Sequence, residues 1–339
     1  MLTSELDFDL PENLIAQHPT AERDSSRLLV IDRTSATFQE DTFRNIGRYL
    51  RRDDCLVLND TRVIRARLQG QKASGGQVEI FLLREEVPGS WVALVRPSAK
   101  VKPGTEVFLP SGIVATIADV LEEGRRRVFF QEPDVLGLLE RAGVIPLPPY
   151  LQRSEETQDA ERYQTVFATA AGAVAAPTAG LHYTEALLQE LDSSGVEHAR
   201  LTLHVGYGTF KPISADRLEN HRVDSERFEL SQETADKLNA TRAQGGRTVA
   251  VGTTCTRVLE TQFQAGQYHA GSGETALYLY PPYQFQAVDV LQTNFHLPKS
   301  SLLALVCAFA GKELILRAYQ HAITQGFRFY SYGDTMLIL

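Results

Sequence analysis

Histidine is the side chain best suited to moving protons near neutral pH. Four of the eight histidines in this 339-residue chain sit where short apolar stretches run out into loops. His182 closes GAVAAPTAGLH (172–182), His204 stands in TLHVGYGTF, His221 in NHRVDSE and His296 in TNFHLP. One histidine in such a place is more often a hydrogen-bonded structural residue than a catalyst. Four of them at loop junctions point to a cleft where at least one transfers protons, without distinguishing which. Asp60 and Asp289, each beside an expected strand end, are secondary acid–base candidates.

Other segments suggest binding. The glycines and alanines of 172–182 let a backbone approach a ligand closely, and read equally well as a tight turn. VGTTCTR (251–257) is an expected strand, a Gly-Thr-Thr loop and a helix start. Helix N-termini offer free N–H groups to anions, although a Thr-capped helix is the commoner arrangement. Tyr278, Tyr280, Tyr283 and Phe285 in YLYPPYQF can stack on a base, or fill a core as aromatics at strand spacing usually do. Arg62, Arg65, Arg67 and Lys72 face the single acid Asp60 within NDTRVIRARLQGQK, a positive patch in a chain of formal net charge -8. That net charge disfavours coating a nucleic acid but allows a local grip on a small RNA element. The plainer alternative is a solvated strand face.

Several chemistries lack support. There is no G-x-G-x-x-G, no G-x-x-x-x-G-K and no H-E-x-x-H, so nicotinamide, P-loop and zinc-protease sites are not indicated. His221, Asp224 and Glu226 do not match a zinc signature, and Cys55, Cys255 and Cys307 are odd in number and widely spaced. Neither a disulfide framework nor a structural metal is expected.

The elements that must position these residues fall into two patterns. Phe43, Ile46 and Leu50 recur at helical spacing before the strand-like CLVL (55–58). The period then becomes two: in VIRARL, Ile64, Ala66 and Leu68 share one face, with Arg65 and Arg67 on the other. QVEIFLL, SWVALVR, TEVFL, IVATIADV and RRVFF follow. The turns between them are Gly75-Gly76, Pro88-Gly89, Pro103-Gly104, Pro110-Ser111-Gly112 and Glu123-Gly124. Short strands this close predict a small antiparallel barrel over about 61–132. VLGLLERAGV then predicts a helix ending at Gly143, PLPPY (146–150) an extended connection, and RSEETQDAER (153–162) a mobile polar loop.

From residue 160 onward strands and helices alternate. Thr184 is placed to cap a helix carrying Leu187, Leu188 and Leu191; RLTLHV, TVAVG, ALYLY and AVDVLQTNF read as strands; TADKLNATRAQ, SSLLALVCAFAG and ELILRAYQHAITQG read as helices. The expectation is an α/β protein: a large, discontinuous mixed α/β domain (1–60 and 146–339) with a smaller antiparallel β-barrel inserted at 61–145. No run approaches the roughly 18 apolar residues of a membrane span, and the acidic N-terminus lacks a secretory pattern. A cytoplasmic, monomeric protein is expected.

LIAQHP, ERDSSRLLV, LNDTRVIRARL, LPPY, GAVAAPTAGLHYT, TLHVGYGTF, VGTTCTR, TNFHLP and FYSYGD occur in order over essentially the whole chain. Together they resemble the S-adenosylmethionine:tRNA ribosyltransferase-isomerases of queuosine biosynthesis. The resemblance implies transfer and isomerisation of the ribosyl part of S-adenosylmethionine onto 7-aminomethyl-7-deazaguanine at the tRNA wobble position. Epoxyqueuosine forms, and adenine and methionine leave. It implies a large α/β domain with an inserted β-barrel, S-adenosylmethionine as co-substrate, a tRNA anticodon loop as partner, and no metal or redox cofactor. His182, His204, His221 and His296 match family histidines and become the catalytic candidates, with Asp60 and Asp289 secondary. The implied S-adenosylmethionine-binding residues are Thr178, Gly180, Gly206, Gly208, Thr253, Thr254 and Asn294. Arg62, Arg65, Arg67 and Lys72 are the implied tRNA contacts.

This chain departs from the family pattern in places. Arg65 stands at a usual proline, Tyr183 at a phenylalanine, Cys255-Thr256 at Ser-Val, and Pro282 at a glycine. Asp224 replaces a common second histidine, where a carboxylate can also serve as base. Two alternatives remain open at this point: an S-adenosylmethionine-dependent RNA methyltransferase, which would need a glycine-rich loop after its first strand, and a tRNA-binding homologue that has lost catalysis.

Overall fold

The structure is a computed structural model describing residues 1–110 and 112–339; Ser111, in the expected Pro110–Gly112 turn, lies outside the described residues. The chain divides into two compact units. One comprises Met1–Thr61, Arg162–Ala170 and Ala176–Leu339, the other Arg62–Glu161 and Ala171–Ala175.

The larger unit is built on a nine-stranded mixed sheet. From one edge to the other its strands are Gly271–Thr275, Glu226–Leu230, Glu197–Leu203, Cys55–Asn59, Thr248–Val251, Val290–Asn294, Thr335–Ile338, Arg27–Asp32 and Thr37–Thr42. The four central strands Glu197–Leu203, Cys55–Asn59, Thr248–Val251 and Val290–Asn294 are mutually parallel. Thr335–Ile338 runs antiparallel to Val290–Asn294. Every residue of Cys55–Asn59, Thr248–Val251 and Val290–Asn294 is buried, as expected of parallel strands covered on both faces. Leu28, Phe43, Ile46, Leu56, Leu58, Leu187, Leu191 and Val249 belong to one core cluster beside the sheet. The helix Glu185–Ser193 is capped as the sequence predicts, Thr184 Oγ1 accepting the Leu187 N–H at 3.1 Å. Before Cys55 the chain is pinned by fully buried Asp54, which accepts from Arg247 Nη2 at 2.6 Å and from the Arg51 N–H at 2.7 Å.

The smaller unit is a closed six-stranded antiparallel barrel, in the order Arg126–Phe130, Ser90–Arg96, Gln77–Val87, Arg67–Gln71, Glu106–Phe108 and Val114–Val120. Alternating burial along Arg67–Gln71 and Arg126–Phe130 sends Leu68, Gly70, Val128 and Phe130 inward. Gly70 is required by close strand approach: a Cβ there would meet Val107 Cγ1 at 2.7 Å and Phe108 O at 2.8 Å. The helix Val135–Ala142 ends at Gly143, capped at its start by Asp134.

Four local expectations are corrected. VIRARL is not one strand: Thr61–Val63 ends before Arg67–Gln71 begins. Ile64 turns its N–H to Ala173 O and Ala66 its N–H to Ile64 O, so Arg65 and Arg67 do not share a strand face. ALYLY is not a strand. The edge strand is the preceding Gly271–Thr275, and within ALYLY the Leu277 carbonyl is taken by Arg257. Phe43–Arg48 is a 3-10 helix. The 153–162 segment is anchored, since Asp159 is fully buried and accepts a two-pronged bond from Arg153 at 2.6 and 2.8 Å.

Candidate functional site

Parallel strands bring their carboxyl ends to one edge of a sheet, where ligands of open α/β folds bind. In the larger unit that edge receives Asp60 and Thr61 after Cys55–Asn59, His204 after Glu197–Leu203, Gly252 to Thr254 after Thr248–Val251, and His296 after Val290–Asn294. The segment Thr178–His182 lies against the same edge, Gln292 Nε2 donating to Ala179 O at 3.3 Å.

His204 shares a 2.8 Å hydrogen bond through Nδ1 with Thr61 Oγ1. Its Nε2 has no hydrogen-bond partner among the described residues. Partial burial pushes the imidazole below its ordinary range, opposed by the nearby Asp60 carboxylate, so the ring is neutral at neutral pH with one nitrogen free to accept a proton. Asp60 is oriented by Thr202 Oγ1 at 2.7 Å and Thr169 Oγ1 at 3.0 Å. Asn59, not singled out from sequence, crosses to Leu203, donating to its carbonyl and accepting its N–H, each at 3.0 Å. It thereby fixes the register that puts Thr61 beside His204.

His182 and His296 are deeper. His182 shares hydrogen bonds with Ser26 Oγ through Nδ1 at 2.7 Å and with Asn294 Oδ1 through Nε2 at 3.3 Å. Burial lowers it to about 4. His296 meets Thr293 Oγ1 at 3.1 Å, and burial lowers it to about 3. Both are neutral and both have fixed rings. His221 is half-buried, its ring edge-on to Tyr278 at 5.2 Å, and burial, with opposing help from Asp224, lowers it below its ordinary range.

Glu226 and Arg257 form a buried ion pair that the sequence reading missed. Glu226 accepts the Gly206 N–H at 2.7 Å and a hydrogen bond from Arg257 Nη1. Arg257 Nε and Nη2 donate to Leu277 O at 2.9 Å and Thr275 O at 3.1 Å. The pair ties the loop after His204 to the tyrosine-bearing segment. Its only sequence signal is an arginine inside a helix whose neighbours Cys255, Val258 and Leu259 are buried. A cleft is lined by Gly208, Asp224, Glu226, Arg257, Tyr278 and Leu302, among others. A Cβ at Gly208 would lie 2.3 Å from Asp224 Oδ2, so a side chain there would displace that carboxylate, which lies 3.4 Å from Lys211 Nζ.

Of the implied co-substrate residues, Gly206, Gly208, Thr253, Thr254 and Asn294 belong to this edge. Neither Thr253 nor Thr254 caps the helix Gly252–Thr261: Val251 is the N-cap, without a side-chain bond, and Gly252 takes φ +87°. The first-turn N–H groups are thus left uncapped by a side chain, and Thr254 Oγ1 is buried without a partner among the described residues. Thr178 begins the short helix holding His182. Gly180 is a packing residue, a Cβ there meeting Phe167 at 2.8 Å and Thr165 at 2.9 Å. Asp289 is not brought to the site. It precedes Val290–Asn294, a five-residue strand that at ~3.3 Å per residue separates it by about 17 Å from the His296 end. There it accepts the Thr248 N–H at 2.8 Å and pairs with Arg242 at 3.8 Å.

The aromatic segment splits. Tyr278 and Tyr280 pack together at 4.8 Å, whereas Tyr283 donates to Glu260 and joins Phe285 and Phe309 in edge contacts. In the barrel unit, Arg62 and Arg65 both turn to Glu140, Arg65 at 3.9 Å. Arg67 lies 3.7 Å from Glu79 and over the Phe81 ring, and Lys72 donates to Lys100 O at 3.3 Å. The expected basic patch is partly self-neutralised, by Glu140 from the helix Val135–Ala142 and by Glu79 from the adjoining barrel strand. Among the described residues, no group of three His, Cys, Asp or Glu could hold a metal ion, the three cysteines are buried and unpaired, and no helix is long and apolar enough to cross a membrane.

A family model described as queuosine biosynthesis protein matches residues 3–338. Relatives named S-adenosylmethionine:tRNA ribosyltransferase-isomerase include that of Trichlorobacter lovleyi, 49% identical, and that of Citrifermentans bemidjiense, 50% identical, each alignment covering 100% of both chains. The crystal structure of an S-adenosylmethionine tRNA ribosyltransferase from Thermotoga maritima is similar over 99% of this chain and 100% of that one, with a TM-score of 0.58 and 38% identity. With this sheet edge, inserted barrel and motif order, the chain belongs to the queuosine biosynthesis protein family.

Proposed function

We propose that the protein transfers and isomerises the ribosyl group of S-adenosylmethionine onto 7-aminomethyl-7-deazaguanine in a tRNA anticodon loop, releasing adenine and methionine. The observation that carries this reading is the convergence of His204, Asp60, Thr61, His182, Asn294 and His296 on one sheet edge, in a chain of this family. The reaction needs a base for the proton on the 5′ carbon, acidified by the adjacent sulfonium. It also needs an acid for departing adenine and an uncharged amine as nucleophile.

His204 is assigned as the base. It is neutral, has a free Nε2, and stands near Asp60, whose charge favours the imidazolium that forms. His182 and His296, neutral and buried, hold Asn294 and Thr293 for hydrogen bonding to the co-substrate. Thr253, Thr254, Gly206 and Gly208 are assigned to its polar groups, and His221 with Asp224 to the amine or the adenine. Asp289 and Gly180 are left out of the reacting set. Proton transfer and substitution require no metal or redox group in this scheme.

The test is chromatography of products after mixing the protein with S-adenosylmethionine and tRNA carrying the deazaguanine precursor. Equal amounts of adenine and methionine are expected. S-adenosylhomocysteine would instead identify a methyltransferase, and no turnover would leave a binding protein.

A further inference from the structure

Three guanidinium groups shielded from water in this chain are met by carboxylates: Arg153 by Asp159, Arg247 by Asp54 and Arg257 by Glu226. Arg33, Arg126 and Arg162 instead donate to backbone carbonyls, and of these Arg162 lines a cleft. Its Nη1 donates to Ala21 O at 3.0 Å and its Nη2 to Thr20 O at 2.7 Å. Its Nε is buried with no partner, and no carboxylate lies within ion-pair distance among the described residues. A partly desolvated charge without a counter-charge is costly, so the missing anion is expected from a ligand.

Arg162 lines a small cleft with Thr20, Arg23, Ser26, His182 and Tyr332. Arg23 reaches it from the other side, Nη1 donating to Leu181 O at 3.2 Å. The positive fields of Arg23 and Arg328 are both felt at the His182 ring on its floor. Asp334 accepts the Arg27 and Arg328 N–H groups at 2.9 and 2.7 Å, and Asp24 faces Arg44 at 3.3 Å. Two planar guanidinium forks suit a tetrahedral oxyanion.

We propose that the cleft between Arg23 and Arg162, over His182, binds a backbone phosphate of the RNA substrate next to the reacting base. This rests on the function proposed above, whose RNA carries one such group per nucleotide. The cleft is too shallow for a nucleoside and stands beside a histidine that holds the catalytic edge through Asn294. The same oxyanion chemistry would fit the carboxylate of the methionyl group, so the test separates the two.

Arg162→Gln keeps donors for the carbonyls and removes the charge; Arg162→Lys keeps the charge. Affinity of the full chain for tRNA is measured over a range of salt, with KM for S-adenosylmethionine and thermal unfolding in parallel. Arg162→Gln is expected to weaken tRNA binding roughly tenfold, the scale of one charge-assisted contact. It should make the log–log salt slope shallower by about 0.7–0.9, leave KM for S-adenosylmethionine unchanged, and be largely corrected in slope by Arg162→Lys. Should Arg162→Gln unfold, Arg23→Gln is read in the same way. Unchanged tRNA affinity and slope, with or without a raised KM for S-adenosylmethionine, overturn the proposal; a raised KM assigns the cleft to the carboxylate. Wild-type product release is scored separately: its failure overturns the function, whereas an unchanged slope in an enzyme that releases adenine overturns only this cleft.

Discussion

Exchanging Glu226 for glutamine removes one charge from a pair that is almost wholly buried, with side-chain exposures of 11% for Arg257 and 5% for Glu226. Removing one partner of such a pair typically costs about 3–5 kcal/mol, because the other charge stays desolvated. Here Arg257 keeps the Thr275 and Leu277 carbonyls, which places the expected loss near the lower end, about 3 kcal/mol. The Gly206 N–H can still find the glutamine carbonyl, but a neutral acceptor holds it less firmly, and the loop after His204 loosens. Stability is read by denaturant unfolding and activity by adenine release. The single variant should lose both. The double variant Glu226→Gln with Arg257→Met removes the stranded charge and should regain much of the stability, while kcat stays depressed because the loop has no anchor. Wild-type stability in the single variant, or activity returning with stability in the double, would refute a positioning role.

Further outcomes follow from the same geometry. His204→Gln should cut kcat by about 10²–10⁴, the usual worth of a general base, with little change in melting temperature; a variant that melts early but turns over marks the residue as structural. Because the His204 imidazole is held below its ordinary range, the acidic limb of kcat/KM in the wild type should fall below about pH 6.5, and a limb above that value would contradict the assignment. His182 and His296 are lowered to about 4 and about 3, so the unfolded chain binds more protons below about pH 6.5. Their stabilising contribution is complete above that pH and is lost as pH falls toward the folded values. His182→Gln should flatten this dependence, and an unchanged slope of unfolding free energy against pH would count against a neutral buried ring. Arg62→Ala should weaken tRNA binding less than Arg162→Gln does, since Arg62 is already paired with Glu140; equal losses would restore the barrel patch as a principal contact. Turnover should survive a metal chelator at concentrations that leave tRNA folded, and rescue by one specific divalent ion would contradict the scheme.

The barrel was legible in the chain because alternation of period two is a local property: a strand with one wet face must place apolar residues at every second position. The Thr184 cap, the helix ending at Gly143 and the histidines at loop junctions were legible for the same reason, each depending on neighbours within a few residues. Local pattern failed where a distant group competed. ALYLY has strand composition, but Arg257 claims its Leu277 carbonyl. VIRARL alternates throughout, yet the hydrogen bond from the Ile64 N–H to Ala173 O breaks it in two. Sequence could place His204 and Asp60 each beside a strand end. That those strands are parallel neighbours, putting Thr61 against His204 across 143 positions, was settled only by packing. Asp289 and His296 flank one strand and were both candidates in the chain, but strand direction sends them to opposite edges of the sheet. The charge balance of the arginines was likewise a tertiary matter. Glu140 silences Arg62 and Arg65, while no acid reaches Arg162 among the described residues, because electrostatic partners are chosen by distance in space and a chain written in order carries no such distance.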